Sequence, residues 1–600
     1  MTMGKIQDIL NPFLAWGNVV KEPVTIKNPV GREAASRYRG FHKNDINTCI
    51  GCGTCETICE NKAIDLIPVE GINTKDGDSG LRPRIDYGRC CWCALCVDVC
   101  TTGSLSMSNH YTWVDTDPEV FRFTPGVDKK PWDNEEKGWK MPAPGYELYP
   151  RDRVDMEELR PEERDKSFIE IIRGYSRDQA ILEADRCVEC GICVATCPAH
   201  MGIPEYIKAI RNDDLNEGLK ILYKTNPLPE ICGRICTHKC ETVCSVGRSG
   251  EPLSIRWLKR YIADQQPSED YKKVLNTENV KLNGKSIAII GSGPSGLSVA
   301  YYLALLGYKC IIFEKLPQAG GMMRYGIPEY RLPYDAVDKD IDYIKSLGVE
   351  IRCNITVGKD ISLEQLHSEF DAVYSGTGLH QGRSTRIPGT DNPAVYQAID
   401  LLRDLTMEKE LPVTENMIVI GGGNVAMDIT RTIARLQNQK FGKVSVMATS
   451  LESENEMPAD REEVLEAREE GALVIPGWGP VSIEIKDNII KGLHVVKCTS
   501  VFDENRRFNP IFDETQKNFF EGTAIVESIG QGMDLSYLTG GLKENLRLDN
   551  RGRIVVNEYF QSGLEWFFVG GDIIQGPDVI HGIANGHTAA IGIDKYLKNN

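Results

Sequence analysis

The stretch IAIIGSGPSGLSVAYYLALLGYKCIIFEK, residues 287–315, decides the fold. It opens as a short apolar strand and turns at Gly291, Gly293 and Gly296. A helical pattern follows, and then a second apolar strand that ends at Glu314. The run is apolar enough to be mistaken for a membrane span, but its glycines and Pro294 break it where a strand–turn–helix–strand must bend. A lone GxGxxG is a weak signal. One set between two strands, with an acid about twenty residues on, is the fingerprint of a dinucleotide-binding unit. The glycines allow the tight turn and a close approach of the pyrophosphate, and the helix N-terminus, with Ser295, faces the phosphates. Glu314 is placed to accept the ribose hydroxyls.

A second fingerprint, VIGGGNVAMD (419–428), follows another apolar run and opens another helix. Its GxGxxA form uses Gly421, Gly423 and Ala426, with Asn424 and Val425 at the helix start. About twenty residues later, VSVMATSLESENEMPADRE (444–462) occupies the place where such a fold selects its nicotinamide cofactor. No arginine stands between 444 and 456, and Glu452 and Glu454 lie in the loop. A carboxylate there repels a 2′-phosphate and can accept hydrogen bonds from free ribose hydroxyls, so NAD(H) is expected over NADP(H), with Glu452 the discriminating residue and Gly530 added to the NAD-binding set. The plainer alternative is a solvated acidic loop, with Arg431, Arg435 or Arg461 reaching the phosphate from another side.

Seventeen of the twenty cysteines fall in four short groups, at 49–59, 90–100, 187–197 and 232–244. Such placement points to metal rather than disulfides. CIGCGTCETIC gives Cys49, Cys52, Cys55 and Cys59; CCWCALCVDVC gives Cys90, Cys93, Cys96 and Cys100, with Cys91 left over. This is two-cluster bacterial ferredoxin spacing, in which the fourth cysteine of each group serves the other cluster. The expected quartets are Cys49, Cys52, Cys55, Cys100 and Cys90, Cys93, Cys96, Cys59. Zinc is the alternative, but zinc sites usually pair distant CxxC motifs. Glu60 and Thr101 stand where a proline usually follows the fourth cysteine. The third group repeats the spacing at Cys187, Cys190, Cys193 and Cys197, and the fourth steps by four through Cys232, Cys236, Cys240 and Cys244, which would stack thiols on one helix face. Cys310, Cys353 and Cys498 stand alone and read as ordinary thiols.

Several stretches resemble known families. KEPVTIKNP (21–29), RYRGFH (37–42) and PRIDYGRC (83–90) resemble the ferredoxin-like subunit of respiratory complex I and its hydrogenase relatives, over about the first 110 residues. That resemblance implies an electron wire docked on larger subunits. FIEIIRGYSRDQAILEADRC (168–187) and PLSIRWLKR (252–260) frame a region similar to the helical iron–sulfur domain of the glutamate synthase small subunit and of dihydropyrimidine dehydrogenase. It implies one cluster on Cys187, Cys190, Cys193 and Cys244 and another on Cys197, Cys236 and Cys240. Some relatives use Gln or Glu as the last ligand; the matching position here is Lys259, so Cys232 is the replacement. AGGMMRYGIPEYRLP (319–333) closely resembles the flavin-contacting signature of the glutamate synthase small-subunit family, where Gly321, Met322 and Arg331 match flavin-contacting positions. In FFVGGDIIQGPDVIHGIANGHTAA (567–590), Gly571 and Asp572 match the ribityl-binding pair and Ile580 the helix start that faces the ring. That family resemblance runs from about 165 to 600.

The expected fold is multidomain: two Rossmann-like α/β domains, one inserted in the other, a helical iron–sulfur domain and an α+β ferredoxin-like domain. The expected boundaries are a docking segment at 1–40, ferredoxin-like domain 41–110, connector 111–165, helical domain 166–270, FAD domain 280–405 and 524–600, and NAD(P) domain 406–523. Sixty-nine Lys+Arg against 86 Asp+Glu give a net charge of −17, and no long basic run appears, which argues against a nucleic-acid partner. No secretory signal or transmembrane span is read, so a cytoplasmic chain is expected. The expected function is electron transfer between NAD(H) and a ferredoxin or larger redox complex, through one FAD and four [4Fe–4S] clusters, with no side-chain acid or base needed. The alternatives are a glutamate synthase small subunit, which ordinarily lacks the two-cluster head, and a non-catalytic electron conduit. A pyrimidine-reducing barrel is not found in the sequence.

Overall fold

The structure, a computed structural model, describes residues 15–21, 33–72, 74, 77–141, 150–164, 166–248, 250–538, 541–576 and 578–599. Most of the N-terminal segment expected to dock on a partner, including all of KEPVTIKNP after Lys21, lies outside the described residues. The chain forms two compact units. One comprises residues 1–151, 188–192 and 245–250, and the other comprises 152–187, 193–244 and 251–600. Among the described residues no helix is long and apolar enough to cross a membrane.

The first unit is built on the two ferredoxin-spaced cysteine groups. Strand Ile64–Pro68 pairs antiparallel with Leu81–Asp86, and His42–Asn44 pairs antiparallel with Leu105–Met107. Short helices Thr54–Thr57 and Leu95–Asp98 follow the CxxC turns. The stretch after 110 does not run as a connector. Arg122–Phe123 adds a third strand beside Leu81–Asp86. Trp132 and Phe123 are buried in the same core as Phe41, Ile85, Tyr87 and Val97, with Trp113, Phe121 and Trp139 packed against it. The charged, proline-rich composition of 111–141 hid five aromatic side chains, and burying them makes this stretch part of the head.

The second unit carries two five-stranded parallel sheets. In the first, Phe567–Val569, Ala372–Ser375, Ser286–Ile290, Lys309–Phe313 and Glu350–Arg352 lie side by side. In the second the order is Val395–Gln397, Ala524–Glu527, Met417–Ile420, Met447–Ser450 and Leu473–Pro476. Each fingerprint strand is central, and residues 287–290 and 417–420 are apolar and buried, as parallel sheets covered on both faces require. The second fold is inserted in the first, but its limits differ from expectation. Val395–Gln397 and Ala524–Glu527 are strands of the second sheet, so neither 405 nor 524 is a domain boundary. A short buried run such as AIVE, apolar up to Glu527, fits either sheet by composition, and only its pairing assigns it. The chain crosses between the folds on a two-stranded ribbon, Leu379–Gly382 with Gln531–Met533. An antiparallel sheet of Trp478–Lys486, Ile489–Phe502 and Phe508–Glu521 extends the inserted fold.

Helices Arg177–Asp185, Ile203–Arg211, Leu215–Thr225, Pro229–Ile235 and Ile255–Gln265 make the helical region. Ser176 opens the first with a capping box completed by Gln179. Glu183, fully buried, pairs with Arg186 at 2.7 Å and accepts the backbone N–H groups of Val154 and Ser254. The cysteines at 232–244 do not share one helix face. Helix Pro229–Ile235 ends at Cys236, which is extended; His238 is left-handed; a new short helix starts at Lys239. Spacing by four is necessary for a stacked helical face but does not keep the backbone helical through it.

Candidate redox cofactor sites

Three cysteine groups share one backbone device. The residues on either side of the second cysteine both have positive φ: Gly51 and Gly53, Trp92 and Ala94, Glu189 and Gly191. Left-handed residues are costly for side-chain-bearing positions, so Trp92, Ala94 and Glu189 mark turns held for a purpose. In the head, Cys55 has its thiol pushed well up by burial and by Cys52, Cys96, Cys100 and Cys49 around it. Cys96 is pushed up by burial and by Cys90, Cys93 and Cys59. Burial and the neighbouring Cys91, Cys59 and Cys93 raise Cys90 to about 11. Cys55 thus has the three other members of its expected quartet around it together with Cys96, and Cys96 has the three others of its own. Cys59, Cys90, Cys93 and Cys96 also line one cavity of about 50 Å³. Crowded thiols become thiolates when iron takes the proton's place, so this donor set fits a cluster held inside that cavity. Among the described residues no three His, Cys, Asp or Glu side chains are gathered tightly enough for a single metal ion. Backbone amides also reach the sulfurs, Ala63 to Cys59 at 3.3 Å and Trp92 to Cys90 at 3.4 Å.

In the helical region Lys259 is buried among Cys197, Cys232, Cys236 and Cys240. Burial works against its ammonium, but Cys236, Cys232, Cys240 and Cys197 outweigh it and keep the group charged. Cys232 is fully buried, and its thiol is raised by burial and eased by Lys259. The position that could carry a carboxylate or amide ligand therefore holds a cation, with a thiol in the same pocket. Cys190 contacts the Ser245 hydroxyl at 3.2 Å.

The flavin-sized cavity, about 540 Å³, lies at the C-terminal ends of the first sheet's strands. Gly291, Gly293, Ser295, Glu314, Gly321, Met322, Arg331, Gly571 and Asp572 all line it. Gly296 and Ile580 do not; their neighbours Ser295, Val579 and Gly582 do. Gly296 packs instead: a Cβ there would meet the Gly291 carbonyl oxygen at 2.0 Å, whereas one on Gly293 would meet nothing within 4 Å. The third glycine thus seats the helix on the strand, and the second leaves room for a ligand's pyrophosphate. Ser292, invisible as an "x" of the motif, donates its amide and hydroxyl to the Glu314 carboxylate at 2.9 and 2.6 Å, fixing that carboxylate at the cavity wall. Asn585 accepts the Gly571 N–H at 3.2 Å. Asp572 is pushed up to about 7 by burial and by Asp578, with His581 opposing.

Two cavity residues come from the helical region. Ile235 and Thr237, on either side of Cys236, line the flavin cavity, and the Thr237 hydroxyl donates to Asp578 at 2.9 Å. Arg331 has a further partner besides the cavity. Its guanidinium pairs with Asp428 at 2.7 Å and Glu463 at 2.7 Å, joining the flavin motif to the second fold. Tyr330 beside it has the guanidinium groups of Arg431 and Arg435 over its ring, 4.8 and 3.7 Å from the ring centre.

On the second fold, Asn424 and Val425 line the same cavity, while Gly421, Gly423, Ala426, Glu452 and Gly530 do not. The Asn424 amide oxygen accepts the Asp460 N–H at 2.7 Å, and the Gly422 carbonyl accepts the Ala459 N–H at 3.0 Å, so the acidic loop is tied to the glycine turn. The Glu452 carboxylate stands 2.9 Å from where a Gly422 Cβ would be. Glu454 points elsewhere, into a bidentate pair with Arg468, both bonds 2.7 Å. Arg431 and Arg435 are fully buried and bound to Glu463, Glu466 and Glu470. Both guanidinium groups are thus taken up by carboxylates of the second fold.

Comparison with known proteins adds the following. Residues 48–104 match the 4Fe-4S dicluster domain, 164–271 match dihydropyrimidine dehydrogenase domain II with its 4Fe-4S cluster, and 285–590 match the pyridine nucleotide-disulphide oxidoreductase family. The chain is 36% identical over 432 residues to the beta subunit of NADP(+)-dependent formate dehydrogenase of Moorella thermoacetica, covering 68% of this chain and 60% of that protein. It is 31% identical over 476 residues to the NADPH glutamate synthase small chain of Escherichia coli K12, covering 76% of this chain and 99% of that one. With AegA of Escherichia coli K12 it shares 29% identity over 587 residues, 92% of this chain and 86% of the other. The fingerprints, the flavin cavity and the cysteine quartets agree with these matches, and the chain belongs to the pyridine nucleotide-disulphide oxidoreductase family, among the glutamate synthase small-chain-like proteins, as an iron–sulfur flavoprotein oxidoreductase.

Proposed function

We propose that the chain moves electrons between NAD(H) and a protein partner, a ferredoxin or a larger redox complex, by way of FAD and four [4Fe–4S] clusters. When bound, FAD exchanges a hydride with the nicotinamide and single electrons with the iron–sulfur groups. The chain's own residues bind and orient. Gly293 and the helix start at Pro294 face the pyrophosphate, Glu314 takes the ribose, and Asp572 takes the ribityl chain. The observation that carries the reading is the placement of Cys236 between Ile235 and Thr237, two walls of the flavin cavity. A cysteine that binds iron there puts a one-electron acceptor beside the flavin. The head's quartets would then hand electrons onward to the partner, and the chain would work in the cytoplasm as part of a hetero-oligomeric complex. Relatives named as subunits of formate dehydrogenase and glutamate synthase support a redox partner of that kind.

The NAD(H) preference rests on Glu452 beside the Gly422 turn and on the engagement of Arg431, Arg435 and Arg468 with carboxylates. The relatives named for NADP(+) and NADPH set the competing expectation. Steady-state dye reduction with each cofactor decides between them. The expected kcat/KM is higher for NADH, and Glu452→Arg should narrow the difference by roughly tenfold or more, the value of one charge-assisted hydrogen bond. A wild-type preference for NADPH ends this part of the reading. The glutamate synthase reading, favoured by the near-complete match to that small chain, requires glutamine-dependent turnover once a large synthase subunit is added.

A further inference from the structure

Of the polar side chains on the wall of the head's cysteine cavity that are not cysteines, His42 lies within hydrogen-bonding distance of a cysteine sulfur. His42 begins the strand His42–Asn44 and is almost wholly buried. It lines the same cavity as Cys59, Cys90, Cys93 and Cys96. Its two ring nitrogens have different neighbours. Nδ1 lies 2.7 Å from the Tyr87 hydroxyl, and Nε2 lies 3.3 Å from Cys96 Sγ. The Tyr87 oxygen also accepts the His42 backbone N–H, at 2.6 Å.

The proton positions follow from these contacts. Tyr87 has one O–H to give, and its oxygen already receives the backbone amide. The O–H therefore turns to Nδ1, which acts as acceptor, and the ring hydrogen sits on Nε2, facing Cys96. A second argument reaches the same tautomer. A cysteine bound to iron is a thiolate with no hydrogen to donate, so a close N···S contact needs its hydrogen on nitrogen. Packing holds the ring in place: Tyr87 is itself sandwiched by Trp92 and Phe123, with stacked ring centres at 5.3 and 5.5 Å. The strand pairing of His42 with Met107 fixes the backbone beneath it.

We propose that His42 donates a hydrogen bond from Nε2 to the Cys96 sulfur and so raises the reduction potential of the cluster held by Cys59, Cys90, Cys93 and Cys96. The inference rests on the reading that the head holds clusters. One-electron reduction adds one negative charge to the iron–sulfur core and its thiolates, the electron coming from the flavin side, and no proton is transferred. A donor aimed at a ligand sulfur stabilises the added charge, and hydrogen bonds to sulfur are among the levers that set such potentials. The other head quartet has hydroxyls near its sulfurs instead, Thr54 at 3.3 Å from Cys52 and Ser104 at 3.6 Å from Cys100. His42 is thus a positioning residue particular to one of the two.

The test uses the full-length protein, reconstituted anaerobically and grown with 15N-histidine. Pulsed EPR of the reduced protein should show a 15N coupling to a head cluster, and this needs no variant. His42→Leu should abolish that coupling. At a fixed poise it should lower the reduced-to-oxidised ratio of that cluster about tenfold, about 59 mV for one electron. His42→Gln, which keeps an N–H donor, should recover part of the shift. Full iron content with no 15N coupling in the wild type, or an unmoved potential in an iron-replete His42→Leu protein, overturns the inference alone. An iron content about half that of four clusters, with the head's signals missing, overturns the underlying reading and the inference with it.

Discussion

The head and the helical region each carry two cysteine groups, yet they arrange them differently. In the head the groups at 49–59 and 90–100 have the same spacing and the same pair of left-handed residues around the second cysteine. Each is followed by a short helix, Thr54–Thr57 or Leu95–Asp98. In the helical region only the group at 187–197 repeats that turn, with Glu189 and Gly191 at positive φ. Its partner group breaks at Cys236 and restarts at Lys239, and it packs its first three cysteines around a buried lysine. Spacing therefore reports geometry where a turn is repeated. Where it is not, the surrounding helices decide.

The largest expected difference between the two regions is in electron flow. Cys236→Ala removes a sulfur between two walls of the flavin cavity, Ile235 and Thr237, and should stop all transfer beyond the flavin. Cys93→Ala should leave NADH reduction of the flavin near its normal rate while reduction of the partner falls to background. Stopped-flow absorbance separates the flavin from the iron–sulfur phases. Loss of flavin reduction in a folded Cys93→Ala protein would reverse the order of the two regions.

Stability should divide along the same line. Glu183 is a fully buried carboxylate that satisfies Arg186, Val154 and Ser254 together. Removing one partner of a buried pair costs about 3–5 kcal/mol, so Glu183→Ala should lower the denaturant midpoint sharply. The helical region's iron should be lost first, with the head's retained. Equal loss from both would mean the two regions unfold as one.

Lys259 is a buried cation among the helical region's cysteines. Lys259→Met withdraws a buried positive charge from beside four cysteines, and a neighbouring cluster should become harder to reduce by roughly 1–4 kcal/mol at the effective dielectric of buried sites. Potentiometric EPR titration checks both sign and size; a shift to higher potential would refute the assignment. The smallest effect belongs to the head's own symmetry. Gly53 has φ +79°, and the twin position is already Ala94 at φ +68°. Gly53→Ala should cost only about 1–2 kcal/mol and leave the iron content unchanged.

The parts legible in sequence were those that repeat a local rule. Both glycine fingerprints, their central strands and the repeated turns around Cys52 and Cys93 depend on residues close together in the chain. What sequence hid depends on pairing at a distance. AIVE at 524–527, apolar up to Glu527, fits either sheet until Met417–Ile420 pairs with it. Trp132 falls in the charged, proline-rich stretch read as a connector, and the partner it stacks on, Phe41, lies about ninety residues earlier. Ser292 sits at an unspecified position of a motif, so its grip on Glu314 carries no letter code. Arg331, matched to a flavin contact, also bridges to Asp428 and Glu463, a role that only the folded juxtaposition shows.

Of the chain's eight tryptophans, Trp92, Trp113, Trp132 and Trp139 lie in or against the head core that also holds Cys55, Cys59, Cys90, Cys96 and Cys100. Half of the intrinsic near-ultraviolet emitters are thereby gathered around the region where iron would quench them. The head carries its own optical gauge: chelation of its iron should brighten tryptophan emission before the flavin's yellow absorbance is lost, so assembly of the wire can be followed in a cuvette.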